Sequence, residues 1–350
     1  MMPARLAYLR SAFCALTTAV LICPASGKAQ SLSEYDRAVA SFAAKDYRSA
    51  AAKFAQIETA SPGSTDALLY EAKCLIQLQE FPAADAALRG YIGNHPESQD
   101  ALYLLGFVLH RENKPKESLE IYTKAAATHT PTGDDLKIVG LNYVLLNDYA
   151  DAIKWFEKAV EFEPRNSDAW YYLGRAYYSQ TRVPDAKNAF LTVLKLEPYH
   201  SKAENNLGLI FESEAKPDEA LVAYRNAINW QEHSPTPSEQ PYLNLGSLLL
   251  EQGNASDALQ PLEKAVQIAP NNASCHLKLG SARLRLGKLK EAQPELEEAV
   301  RLEPENAAAH FQLGRLYKQL KLTDRAKKEF DRAGEIQSRE ALPHSQPKQP

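Results

Sequence analysis

Apolar positions between Ser167 and His200 fall into two stripes. Trp170, Leu173, Gly174 and Tyr177 recur at i, i+3, i+4, i+7, and Ala186, Phe190 and Val193 keep the same spacing further on. The pattern predicts two amphipathic helices joined by a short polar turn. A pair this short buries one stripe against the other and leaves apolar surface uncovered at both ends, so it needs neighbours.

The neighbours recur at a period of 34 residues. With Gly174 in slot 8 of the repeat, the same slot holds Gly106 and Gly140 before it and Gly208 after it. Past one four-residue insertion it holds Gly246, Gly280 and Gly314, so seven of the 15 glycines share a slot. The first two repeats carry Ala38 and Ala72 there. Slot 20 is also small throughout: Ala50, Ala84, Ser118, Ala152, Ala186, Ala220, Ala258, Ala292 and Ala326. Glycine inside a helix costs about 0.5–1 kcal/mol relative to alanine. Its recurrence predicts a close approach of the two helices where their backbones cross. Slot 24 supplies large side chains, Phe54, Leu88, Tyr122, Phe156, Phe190, Tyr224, Leu262, Leu296 and Phe330. In slot 32, Pro62, Pro96, Pro164, Pro198, Pro270 and Pro304 end the second helix, with Pro131 one residue late.

This combination of period, small slots, large slot and proline resembles the tetratricopeptide repeat (TPR). Nine repeats start at residues 31, 65, 99, 133, 167, 201, 239, 273 and 307, so the array spans 31–340. The resemblance implies an all-α fold, a right-handed superhelical α-solenoid of nine helix-turn-helix units, in place of several compact domains. The first repeat, with Glu34, Arg37 and Ser41 in slots 4, 7 and 11, reads as a cap facing water, and Glu71 marks the second as irregular. Repeat six loses its proline stop and enters QEHSPTPSEQP, residues 231–241, where Pro235, Pro237 and Pro241 predict a loop and a slight hinge.

Composition changes the picture only at the ends. Arg5 and Arg10 precede an apolar run, Ser11 to Cys23, and small residues follow at Gly27 and Ala29, so residues 1–29 read as a secretory signal cleaved before Gln30. An uncleaved membrane anchor is the alternative, although the run is shorter than the ~20 residues a span needs. Ile22 before Cys23 does not suit lipoprotein cleavage. Residues 341–350 read as a disordered tail. Without residues 1–29, which hold Arg5, Arg10 and Lys28 and no acidic residue, 37 basic residues face 44 acidic ones, a net of −7. That disfavours nucleic acid and anionic lipid as partners. The basic crowd Arg315, Lys318, Lys321, Arg325, Lys327, Lys328 and Arg332 is interleaved with Asp324, Glu329 and Asp331 and reads as a solvated face. Cys74 and Cys275, six repeats apart in first-helix slots, read as buried free thiols.

In solenoids of the resembling family the first helices line a concave groove with slots 2, 5, 9, 12 and 13. The resemblance therefore points to Tyr35, Phe42, Tyr103, Phe107, His110, Arg111, Tyr171, Arg175 and Tyr178 as a partner-binding surface; aromatics beside arginine anchor partners. Lys137 in slot 5 is followed by Leu141 in slot 9, so the family's chaperone carboxylate clamp is not supported. An asparagine ladder at slot 6 is limited to Asn206 and Asn244. GxxxxGK[ST], HExxH, CxxC and GxSxG are absent from the sequence. His276 and His310 share slot 4 of successive repeats without further metal ligands in view, and no cofactor is expected. Asn254 and Asn272 open glycosylation triplets. The sequence thus predicts an exported, non-catalytic scaffold holding a peptide or helix of a protein partner in its groove. The alternative is a structural subunit of an envelope assembly, self-associating through its ends or convex face.

Overall fold

The computed structural model describes residues 33–63, 66–232 and 234–341. The predicted signal segment and tail lie outside them, apart from Ala341, which ends the last helix. Among the described residues there are eighteen helices and no strand. They form nine antiparallel pairs: α1 Glu34–Ala43 with α2 Tyr47–Ala60, α3 Ala67–Gln77 with α4 Phe81–Asn94, and α5 Gln99–Arg111 with α6 Pro115–Ala126. Next come α7 Gly133–Leu145 with α8 Tyr149–Phe162, α9 Ser167–Ser179 with α10 Val183–Leu196, and α11 Ser201–Ser213 with α12 Pro217–Trp230. The last three pairs are α13 Gln240–Glu251 with α14 Ala255–Ile268, α15 Ala273–Arg285 with α16 Leu289–Leu302, and α17 Ala307–Gln319 with α18 Thr323–Ala341.

The chain divides after Leu196 into an N-terminal block of five pairs and a C-terminal block of four. In each block the interior is built from the same two slots. Phe54, Leu88, Phe156 and Phe190 in one block, and Tyr224, Leu262 and Leu296 in the other, are fully buried, each contributing about 1.5–3 kcal/mol before ordering entropy. The glycine slot makes room for the large slot-24 side chain. A methyl at Gly140 would meet the Phe156 ring at 2.6 Å, and one at Gly174 the Phe190 ring at 2.8 Å. What lies nearest the glycine is the large slot-24 side chain of the second helix, seated where a Cβ would stand.

The corner between paired helices is uniform. Lys45, Gln79, Asn113, Asn147, Thr181, Ala215, Gly253, Gly287 and Lys321 all occupy slot 15, and all have positive φ, 56–84°. A left-handed residue reverses the chain within a few positions, and glycine takes that conformation at least cost. Second helices end before the slot-32 prolines, at Asn94, Phe162, Leu196, Ile268 and Leu302. First helices are then capped by side chains: Asn166 accepts from the Ala169 amide at 3.0 Å and Asn306 from Ala309 at 3.1 Å.

One expectation changes. Pro241 lies in the first turn of α13, where its missing N–H has no intrahelical use, so the loop is shorter than predicted. That loop is also pinned: the buried Gln231 amide donates to the Ser238 carbonyl at 2.8 Å and accepts from its N–H at 2.9 Å. This pair of bonds ties one end of the loop to the other. In addition Pro261 and Pro294 sit inside α14 and α16, leaving the Asp257 and Lys290 carbonyls without their i+4 donors.

Candidate functional site

In the N-terminal block the first helices of repeats three, four and five touch in series, α5 on α7 and α7 on α9. Four successive repeats hold aspartate in slot 2, Asp66, Asp100, Asp134 and Asp168. These acids take up nearby donors. Lys73 pairs with Asp100 at 3.1 Å, and Tyr91 donates to Asp66 at 2.7 Å. The buried Lys137 pairs with Asp134 at 2.8 Å and with Asp168 at 3.7 Å. Lys137 is thus neutralised from two repeats, which gives a physical reason why it cannot act as a carboxylate clamp.

The nine sequence-predicted groove residues separate into three groups. Tyr103 belongs to the core: it is 1% exposed, its ring lies 5.8 Å from Tyr122, and its hydroxyl donates to the His129 carbonyl at 2.8 Å. The reason is local. Helix α6 stops at Ala126, and the link that follows brings the His129 carbonyl over Tyr103. Tyr35 and Phe42 are half-buried and meet the Tyr70 ring edge-on at 6.3 and 5.6 Å, cementing repeats one and two. Burial pushes the Tyr35 hydroxyl up to about 12.

His110 is half-buried at the end of a polar chain that runs into the core. Ser118 Oγ donates to the Gly106 carbonyl at 2.6 Å, and Asn142 Nδ2 donates to Ser118 Oγ at 2.7 Å. That orientation turns Asn142 Oδ1 toward His110 Nδ1, 2.9 Å away, so the Nδ1–H tautomer donates to it. Burial, chiefly, and the neighbouring Arg111 hold the imidazole below its usual range. His110 is therefore a neutral structural donor. Asn142 escaped sequence reasoning because it stands in a helix slot where a polar residue reads as surface, and Ser118 was counted only as a small residue of slot 20.

Phe107, Arg111, Tyr171, Arg175 and Tyr178 remain at the surface. Arg111 is exposed and stacks 4.6 Å over Phe81 and 5.8 Å over Phe107; Arg175 is exposed 5.9 Å over Tyr171. Neither guanidinium makes an ion pair among the described residues. Between them the first helix of repeat four presents Leu141, Val144 and Leu145, the last 43% exposed. Phe81, which opens a second helix, was missed because groove slots were sought on first helices alone.

The C-terminal block carries a second polar motif. His276 Nδ1 lies 2.7 Å from Glu295 Oε2, and its Nε2 lies 2.9 Å from the Pro270 carbonyl. His310 repeats the arrangement with Glu329 at 2.6 Å and the Pro304 carbonyl at 3.0 Å. Each histidine is held by its own partners. Among the described residues there is no group of three or more His, Cys, Asp or Glu placed to hold a metal. No described helix is long and apolar enough to cross a membrane. Cys74 and Cys275 are buried free thiols, pushed up to about 12 and about 11 by burial.

Family models described as tetratricopeptide repeat or TPR repeat match residues 41–105, 140–181, 167–200, 249–296 and 283–344. No curated protein matches the sequence. Among solved structures, the APC/C hetero-tetramer Cut9-Hcn1 aligns at 17% identity and a TM-score of 0.60, over 81% of this chain and 55% of that one. The chain thus spans about half the length of that neighbour. A tetratricopeptide repeat protein from Parabacteroides merdae ATCC 43184 aligns at 18% identity and 0.56, over 71% and 96%. PilF of Pseudomonas aeruginosa aligns at 19% and 0.52, over 59% and 97%. At these identities the likeness is one of fold.

Proposed function

Since the chain belongs to the tetratricopeptide repeat superfamily, whose members bind protein partners, we propose that it is a non-catalytic scaffold that captures an extended peptide or a helix of another protein. The observation that carries this reading is the surface formed by Phe107, Arg111, Tyr171, Arg175 and Tyr178. Its aromatic rings are only half-covered, and its two cations lack carboxylates in a block where Lys73 and Lys137 are neutralised. Partner side chains are buried against the rings and partner carboxylates meet the guanidiniums.

Changing Phe107 and Tyr178 together to glutamate tests the siting. The expected result is an unchanged helical spectrum and loss of the proteins retained by wild-type chain in affinity capture; equal retention by the variant refutes it. We also propose that the chain is exported. Support comes from Arg5 and Arg10 ahead of the Ser11 to Cys23 run and from the small residues before Gln30. Sequencing the N-terminus of the cellular protein tests this, and a chain still beginning at Met1 contradicts cleavage.

A further inference from the structure

Five basic residues stand on the first helices of the N-terminal block: Arg37, Lys73, Arg111, Lys137 and Arg175. Lys73 and Lys137 are neutralised by Asp100, Asp134 and Asp168, and Arg37 has an interaction of its own. Arg111 and Arg175 are the pair left exposed on aromatic faces without an ion pair among the described residues. They stand on the two helices that flank α7, whose surface between them is apolar at Leu141, Val144 and Leu145. The one cation of that middle helix, Lys137, already faces two aspartates.

We infer that the surface selects a particular charge pattern in an extended partner segment: two acidic residues six positions apart with apolar residues between them. The inference rests on the peptide-binding reading above and adds its specificity. Packed helices lie about 8–10 Å apart, so first helices two steps apart are separated by about 16–20 Å. An extended chain advances about 3.3 Å per residue and a polyproline-type chain about 3.1 Å, so six residues cover about 19–20 Å. In both conformations residues i and i+6 point the same way, which brings both carboxylates to the arginine side. A third acid placed midway would meet the apolar Leu141, Val144 and Leu145 and find no free cation, since Lys137 already pairs with Asp134 and Asp168. Guanidinium stacked on a ring is already ordered, so less side-chain freedom is lost when it takes up a carboxylate.

The test uses the purified full chain and a series of fluorescent twelve-residue peptides of Leu, Ala and Ser. Each peptide carries two glutamates separated by three to nine positions. Binding is expected to peak at a separation of six and to weaken about 10-fold for Arg111→Gln or Arg175→Gln, since each loses a charge-assisted bond. It should also weaken when a third glutamate is placed midway. If peptides bind, and Phe107→Glu with Tyr178→Glu abolishes binding, yet affinity ignores glutamate spacing and both arginine variants, the charge rule is overturned and the groove reading stands. If binding persists in the Phe107→Glu, Tyr178→Glu variant, both fall. If no peptide of the series binds, the charge rule falls, and the groove reading is then decided by the capture experiment.

Discussion

Beyond the first repeat, slot 4 of the N-terminal block holds Leu68, Leu102, Leu136 and Trp170, whereas in the C-terminal block it holds Glu204, Tyr242, His276 and His310. Trp170 and the two histidines nonetheless do one job in common. The indole N–H donates to the Pro164 carbonyl at 3.0 Å, and the imidazole Nε2 of His276 and His310 faces the Pro270 and Pro304 carbonyls at 2.9 and 3.0 Å. A carbonyl just past the end of a second helix needs a donor, and either ring supplies it. The blocks part in what the other edge of the ring does. The indole adds apolar area, while the imidazole brings in a carboxylate, Glu295 or Glu329. The comparison teaches that slots facing a partner helix accept few residue types, and that slots at the margins change chemistry from block to block. Surface aromatics under arginines that make no ion pair among the described residues in one block, and histidine–carboxylate pairs with helix-interior prolines in the other, are variations of this marginal kind.

Among the described residues each block holds one buried cysteine, Cys74 or Cys275, so thiol labelling under native conditions reads the opening of each block separately. The largest contrast comes from the slot-24 side chains. Phe156→Ala should destabilise the N-terminal block by about 3–5 kcal/mol and speed labelling of Cys74. Leu262→Ala should destabilise the C-terminal block by about 2–5 kcal/mol and act on Cys275. Equal effects on both thiols would show that the blocks open as one.

Next in size is the ring at slot 4. His310→Leu strands the Glu329 carboxylate and the Pro304 carbonyl together and should cost about 2–4 kcal/mol. Trp170→Phe removes one neutral hydrogen bond and should cost about 1 kcal/mol. Denaturant titration measures both, and equal losses would erase the distinction drawn between the blocks. Pro294→Ala restores a donor to the Lys290 carbonyl in a solvent-facing part of α16 and should raise the stability of the C-terminal block by about 1–3 kcal/mol, read as slower Cys275 labelling. The smallest effect is expected at slot 15. Thr181→Gly should stabilise by about 1 kcal/mol and Gly253→Ala should destabilise by a similar amount, seen as opposite shifts in the unfolding midpoint.

Much of the fold was legible because the glycine, alanine and large-residue slots recur at one interval. Each repeat states the same packing rule, so misreading any one of them, such as repeat six with no proline in slot 32, does no damage. The site was legible in part. Tyr103 and Arg111 look equally like groove residues in a slot count; only the path of the chain after Ala126 sends the first into the core. The left-handed corner was hidden for a different reason. Seven of the nine slot-15 residues are not glycine, so backbone geometry repeats where residue identity does not. The slot-2 aspartates were visible as a column, but their pairing with Lys73 and Lys137 depends on which side chains the folded helices bring within reach.

The shared corner has a consequence for how such an array grows. Adding one residue at slot 15 would rotate the second helix by about 100° relative to the first, lifting the Phe156 or Phe190 ring off its glycine. Four extra residues between pairs, as at 231–238, disturb no such seat and are held by one glutamine. Duplication and insertion therefore leave their marks at the seams, and every hairpin is inherited whole.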